Sequence, residues 1–412
     1  MNVLISAYAV SPTHGSEPAV GWNWTIELAK YCNVYVITEA EFKNDINKAQ
    51  QTLPQKENIH FLYNDIGPKA RKMCWNQGDY RFYYFYQKWQ KETYKIAVDL
   101  IEKVKIDVIH HLNMIGYREP GYLWRIQSIP FVLGPIGGFT LVKASFIPTL
   151  GMKYTIFYLI KNFLNILQAL THTRVRKAIK RSDLLLAESN NSYKAIIKYY
   201  GKQSLIMPET GCVLNNSHRF DRVKDSNSYF NILWVGRFLP TKMLNLALET
   251  INCLKHLPNL KFHIVGDGIN EKVVLKYKKI AQKKGLDNIC LWYGKIPKKD
   301  VNTIMQKSDL LFFTSIVEGT SHVVLEAIAN HLPILCFDNN AHGQIVDKTI
   351  GDKIPLINYK KSISLFTRKI EDYYNNRFIL EAMTDNFNIK IKEFSWEKKV
   401  EKILSYYQEI IK

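Results

Sequence analysis

A chain of 412 residues exceeds what one hydrophobic core usually supports, so two domains are expected. Its 47% hydrophobic and 13% aromatic content excludes a disordered polymer. The formal charge of +19 is uneven: residues 140–202 carry eleven Lys or Arg against two acids, an excess of +9.

Residues 2–9 read as a buried first strand rather than a signal peptide, because no basic region leads into them. A helix is expected at 21–30. Further strands are expected at 34–38, 60–63, 107–111, 131–134 and, last in this half, 183–187. The aromatic helical pattern over 80–104 suits packing. Strands separated by helix-length segments imply a parallel, doubly wound α/β sheet. The apolar run 154–170 is broken by Lys161, Asn162, Asn165 and Gln168, so it is not a transmembrane helix. With its basic neighbours over 143–181 it suits either an anionic membrane surface or an ordinary packed helix with a solvated basic face. No motif supports nucleic acid as the partner of that charge. Six scattered cysteines without a C-x-x-C argue for a reducing compartment and against a zinc site or a disulfide framework.

Residues 206–228 lack an apolar period and read as a linker. A second alternating series then places strands at 231–235, 261–265, 289–293, 310–314 and 333–337, with helices at 243–254, 270–284, 301–306 and 321–330. A final helix, capped by Ser395, closes the chain. The expected division is 1–205, linker 206–228, 229–390, and a C-terminal helix in 391–412 that crosses back to the first domain.

Glu318 and Glu326 are the most informative residues, seven positions lying between them after an apolar strand. Glu318 falls in a strand-to-helix loop on the rim where open α/β sheets bind ligands, and Glu326 in the helix beyond. Gly319 permits close backbone approach, and the helix start offers N–H groups to an anion. From the pair alone, a helix cap and a solvated acid remain the alternative. Gly236, Arg237 and Lys242 follow the strand before them, the cations suiting a diphosphate clamp. Gly266 and Gly268 follow another strand without completing a dinucleotide fingerprint. Gly294, Lys295 and Ile296 suit backbone contact with a nucleobase. In the first half, Gly15 opens a helix after strand one, and His110 or His111 ends a strand. No Asp-x-Asp follows a strand, which argues against a metal-bridged diphosphate.

Together these residues resemble the retaining, nucleotide-sugar-dependent glycosyltransferases of the GT-B fold, family 4. Residues 235–242, 265–268 and 314–346 look like the family's Gly-Arg-x4-Lys, Val-Gly-x-Gly and Glu-x7-Glu blocks. The blocks Gly15-Ser-Glu-Pro-x-x-Gly-Trp, His110, Arg118-Glu-Pro-Gly-Tyr-Leu-Trp and Gly134-Pro-Ile-Gly-Gly resemble a bacterial surface-polysaccharide subgroup. The resemblance implies two Rossmann-like domains facing a cleft. It implies hexosyl transfer, with retention and without a metal or other cofactor, from a nucleotide diphosphate sugar to a saccharide or lipid-linked hydroxyl. Arg237 and Lys242 would neutralise the diphosphate, Glu326 would bind ribose, and Glu318 with Gly319, Thr320 and Ser321 would hold the donor sugar. Gly15 would approach the diphosphate and His110 the reacting face, with His111 and Arg118 on the acceptor side. The expected location is cytoplasmic, peripheral to the inner membrane face. Three departures stand out: His331 and Met243 occupy places where the family often has Gly, and Leu112-Asn113 follows the His110-His111 block in place of a second spaced His, which leaves open which of the two faces the cleft. A GT-B sugar-nucleotide 2-epimerase and a non-catalytic sugar-nucleotide-binding protein are the alternatives.

Overall fold

The computed structural model describes residues 1–76, 79–114, 116–213 and 229–412. The chain divides into two compact units. One comprises Met1–Phe139, Ile166–Thr210 and Trp396–Lys412; the other comprises Thr140–Asn165 and Gly211–Ser395. Both are α/β with an all-parallel sheet, as the alternating strand and helix pattern predicts.

The first sheet holds β1 (Asn2–Ala7), β2 (Asn33–Glu39), β3 (Ile59–Asn64), β4 (Val108–Asn113), β5 (Phe131–Ile136), β6 (Leu184–Ala187) and β7 (Leu205–Ile206). Their order is β3-β2-β1-β4-β5-β6-β7. Every residue of β4 and β5 is buried, because helices cover both faces of such a sheet. Helix α1 (Glu17–Leu28) follows β1, and α2 (Phe82–Ile101) sets Phe82, Tyr86 and Trp89 edge-on to Tyr8, with centroids 5.6, 5.1 and 5.1 Å away. The aromatic pattern of α2 is therefore core packing. The C-terminal helix Trp396–Ile411 packs on α1, its Trp396 edge-on to Trp24 at 5.9 Å.

Two expected boundaries change. Strand β7 continues the sheet beyond 183–187, so residues 206–210 of the expected linker belong to the first unit. Met207 is buried, the Trp24 indole donates to the Glu209 carbonyl at 2.9 Å, and Lys399 donates to the Pro208 carbonyl at 2.5 Å. Residues 214–228 of the expected linker lie outside the described residues. Residues 140–165 group with the second unit rather than the first. There Lys143 and Ser145 donate to the carbonyls of Leu356 and Ile357 at 2.5 and 2.7 Å. Helix α3 (Met152–Thr171) follows them.

The second sheet holds β8 (Phe230–Val235), β9 (Leu260–Val265), β10 (Cys290–Gly294), β11 (Leu310–Phe313), β12 (Ile334–Phe337) and β13 (Gly351–Ile354). The order is β10-β9-β8-β11-β12-β13, so the winding reverses between the paired strands β8 and β11. A crevice outside the carboxyl ends of strands at such a reversal is where this class of sheet takes ligands. Helices α4 (Leu244–Cys253), α5 (Lys298–Lys307) and α6 (His322–Ala329) follow β8, β10 and β11. Strand β13 and α7 (Tyr359–Asn375) extend the unit beyond the expected elements. No helix among the described residues is long and apolar enough to cross a membrane.

Candidate functional site

Lys242 and Glu318 meet at the β8/β11 reversal. Lys242 ends the loop after β8, Glu318 lies in the loop after β11, and the ammonium donates to Glu318 Oε1. The Ser315 hydroxyl donates to the same oxygen at 2.9 Å. The two loops are tied beneath the pair. The Trp234 indole donates to the Thr314 hydroxyl at 2.9 Å, which donates in turn to the Lys242 carbonyl at 2.7 Å. The Ile316 N–H reaches the Thr241 carbonyl at 2.9 Å. The pair is mostly buried, with side chains 17% and 16% exposed. Burial, then the Arg237 guanidinium, push the Lys242 ammonium down towards about 8. Arg237, one strand-end away, is exposed.

Helix α6 opens at this point. Ser321 caps it, its hydroxyl accepting from the Val324 N–H at 3.4 Å, and Thr320 and Ser321 are buried. His322 and Glu326 are four residues apart and share one helix face. Lys298, at the start of α5, donates to Glu326 Oε1 at 3.0 Å. Burial, then Lys298 and Lys242, push the His322 imidazole down to about 4. Lys298 and His322 were not among the expected site residues. Lys295, exposed, and Ile296, half-buried, follow β10 in the same row of loops. Gly236 and Gly266 end β8 and β9, and a Cβ on Gly266 (φ +137°) would collide with the Gly236 carbonyl. Gly268 lies against Val273. One sheet edge thus gathers all the expected donor residues of this unit. A separate cavity lined by Thr149, Tyr154, Phe238, Met243 and Tyr277 includes none of its charged groups.

The two departures at family glycine positions sit where glycine is favoured. Met243 and His331 each adopt φ 54°. Met243 offsets that strain by burial, and His331 by stacking on Phe387 at 5.8 Å.

In the first unit the expected histidines are corrected. His110 is wholly buried, and both of its nitrogens are engaged. Its Nε2–H donates to the Gly134 carbonyl at 2.5 Å, so Nδ1 accepts from the Tyr407 hydroxyl at 2.6 Å. His111 donates from Nε2 to the Glu119 carbonyl at 3.2 Å. Burial pushes both imidazoles down to about 4. A strand covered on both faces leaves neither alternating side chain at a surface, so His110 is a neutral core residue here rather than a group facing a ligand. Arg118 is half-buried and donates to Gln168 Oε1 at 2.5 Å. Gly15 lies in an exposed loop with open space around it, and the positive φ of that turn, 61°, falls on Ser16.

Glu188, directly after β6, is a buried acid that the sequence reading passed over. Ser192 donates to its Oε1 at 3.2 Å, and its carboxyl fills the space a Cβ on Gly137 would need. Burial pushes it up to about 7, with the Ser192 and Gly138 hydrogen bonds opposing. A free glutamate ionises near 4.3, so the unfolded chain loses this proton first and wild-type stability falls as pH rises from about 4.3 to about 7. Glu188→Gln should therefore be the more stable protein at pH 8, by up to about 3 kcal/mol, and match wild type at pH 4. Thermal melts across that range check this; parallel pH profiles would refute it.

The sheets and their switch point place this chain in the two-domain, Rossmann-like architecture of GT-B glycosyltransferases. Residues 216–392 match the family model described as glycosyl transferases group 1. The chain is 26% identical over 319 residues to an uncharacterized glycosyltransferase of Methanocaldococcus jannaschii, covering 77% of this chain and 80% of that one. It is 22% identical over 246 residues to the putative teichuronic acid biosynthesis glycosyltransferase TuaC of Bacillus subtilis, covering 58% and 59%. The crystal structure of Anabaena HepE in complex with UDP superimposes with a TM-score of 0.64 over 99% of this chain and 100% of that one, at 14% identity. These comparisons support a glycosyltransferase.

Proposed function

We propose that this protein is a retaining glycosyltransferase of family 4 type. It moves a hexosyl group from a nucleotide diphosphate sugar to a hydroxyl of a saccharide or lipid-linked saccharide, in the synthesis of a bacterial surface polysaccharide. The observation that carries this reading is the Lys242–Glu318 pair at the β8/β11 reversal, beside the start of α6 and its Glu326. HepE, solved with UDP, and TuaC, named for teichuronic acid synthesis, lend it support.

In this reading Arg237, Lys242 and the α6 N-terminus receive the diphosphate, without a metal ion. Glu326, oriented by Lys298, takes the ribose hydroxyls. Glu318 and the backbone of Gly319, Thr320 and Ser321 hold the donor sugar, and Arg118 serves the acceptor side. The bond from the anomeric carbon to the phosphate oxygen breaks as the acceptor oxygen bonds to the same face. The acceptor proton passes to the departing phosphate oxygen. Cationic groups fixed where the leaving charge develops lower the barrier. The test is NMR of the product made from an α-configured nucleotide sugar: an α linkage is expected, and a β linkage would overturn retention. An epimerised free sugar with no transfer would favour the epimerase.

A further inference from the structure

Helix α3 is built inside out. Four uncharged polar side chains face protein: Asn165 is only 5% exposed, and the Asn162 amide accepts from the Val142 N–H at 3.1 Å and donates to the Val142 carbonyl at 2.8 Å. Thr155 donates to the Ile147 carbonyl at 3.0 Å, and Gln168 accepts from Arg118. The Met, Ile, Leu and Phe side chains point the other way, while Tyr154 and Tyr158 pack on the core. Met152 is 83% exposed and Phe163 65%, with Ile156, Leu159, Ile160 and Leu170 all more than half exposed. An amphipathic helix in water does the reverse, and isolated exposed apolar residues do not form a continuous face of this length.

We propose that this face of α3 inserts into an anionic phospholipid surface, the helix lying in the plane of the interface. Charge selects that occupant. From 140 to 182 the sequence has eight Lys or Arg and no Asp or Glu. Lys153 and Lys161 on α3 are exposed, as are Arg176, Lys177 and Lys180 just beyond it. Lysines of this kind rest their stems on apolar surface and hold the ammonium at headgroup level. Lys161 lies 5.9 and 5.5 Å from the ring centroids of Phe157 and Tyr158. A second copy docked through the same face would bring like charges together, whereas anionic lipid neutralises them. Twenty helical residues span about 30 Å, which suits lying along the interface. This inference stands on α3 alone and does not depend on the sugar donor.

The test is flotation of the full chain with vesicles of phosphatidylglycerol and phosphatidylcholine, against phosphatidylcholine alone. Wild type is expected to float with the anionic vesicles and at least about tenfold less with the neutral ones, each basic residue contributing about fivefold. Leu159→Ser with Phe163→Ser should lose at least about tenfold in binding with an unchanged melting temperature, since both side chains are exposed. Phe378→Ser, which removes an exposed ring elsewhere, should float like wild type. Equal flotation of the double variant and wild type would overturn the proposal. So would absence of wild-type flotation, or a wild-type dimer that the double variant disperses while neither protein floats.

Discussion

Lys242→Ala is expected to weaken nucleotide-sugar binding by about two orders of magnitude and to destabilise the second unit by about 3 kcal/mol. Both effects come from one geometry. The ammonium is the buried cation at the β8/β11 reversal, and without it the Glu318 carboxylate is left without that counter-ion in a mostly buried position. The double variant Lys242→Ala with Glu318→Ala separates them. It should recover much of the stability, because no uncompensated carboxylate remains, yet bind the donor no better than Lys242→Ala. Melting and isothermal titration on the three proteins measure the cycle. If the double variant regained donor affinity, the pair would be structural and the diphosphate would lie elsewhere.

Glu326→Gln is expected to raise KM for the donor about thirtyfold while changing kcat less than about threefold. A hydrogen bond to a charged partner contributes about 2 kcal/mol, and a ribose contact made equally in ground and transition states appears in KM. Lys298→Ala is the companion measurement. Lys298 is largely exposed, so losing its 3.0 Å contact should cost little by itself. Initial-rate kinetics in which both variants raised KM equally would show that Glu326 acts only through that ion pair.

Much of this site could be read from the sequence because its chemistry interrupts apolar strands. A glycine followed by Arg237 and Lys242, and a carboxylate followed by a capped helix, are conspicuous after β8 and β11. Lys298 is not, since it stands among Lys295 and Lys299 and only the fold brings it to Glu326. His110 carries a familiar motif, but its burial depends on Tyr407 almost three hundred positions away. Strand β13 begins Gly351-Asp-Lys, too polar and short to declare itself, and is held by pairing with β12. The grouping of 140–165 rests on bonds to Leu356 and Ile357, which no local pattern encodes. Met243 and His331 stood out as missing glycines, and their positive φ values give the reason.

The most direct test of the central claim is a panel of UDP-, GDP- and ADP-sugars titrated against wild type, Lys242→Ala and Glu326→Gln, followed by thermal shift. At about a hundred times Kd, one class of donor should raise the wild-type melting temperature by about 5 °C, of which Glu326→Gln should keep about a third and Lys242→Ala about a sixth at the same concentration. No response from wild type to any nucleotide sugar, or an equal response from all three proteins, would contradict the account.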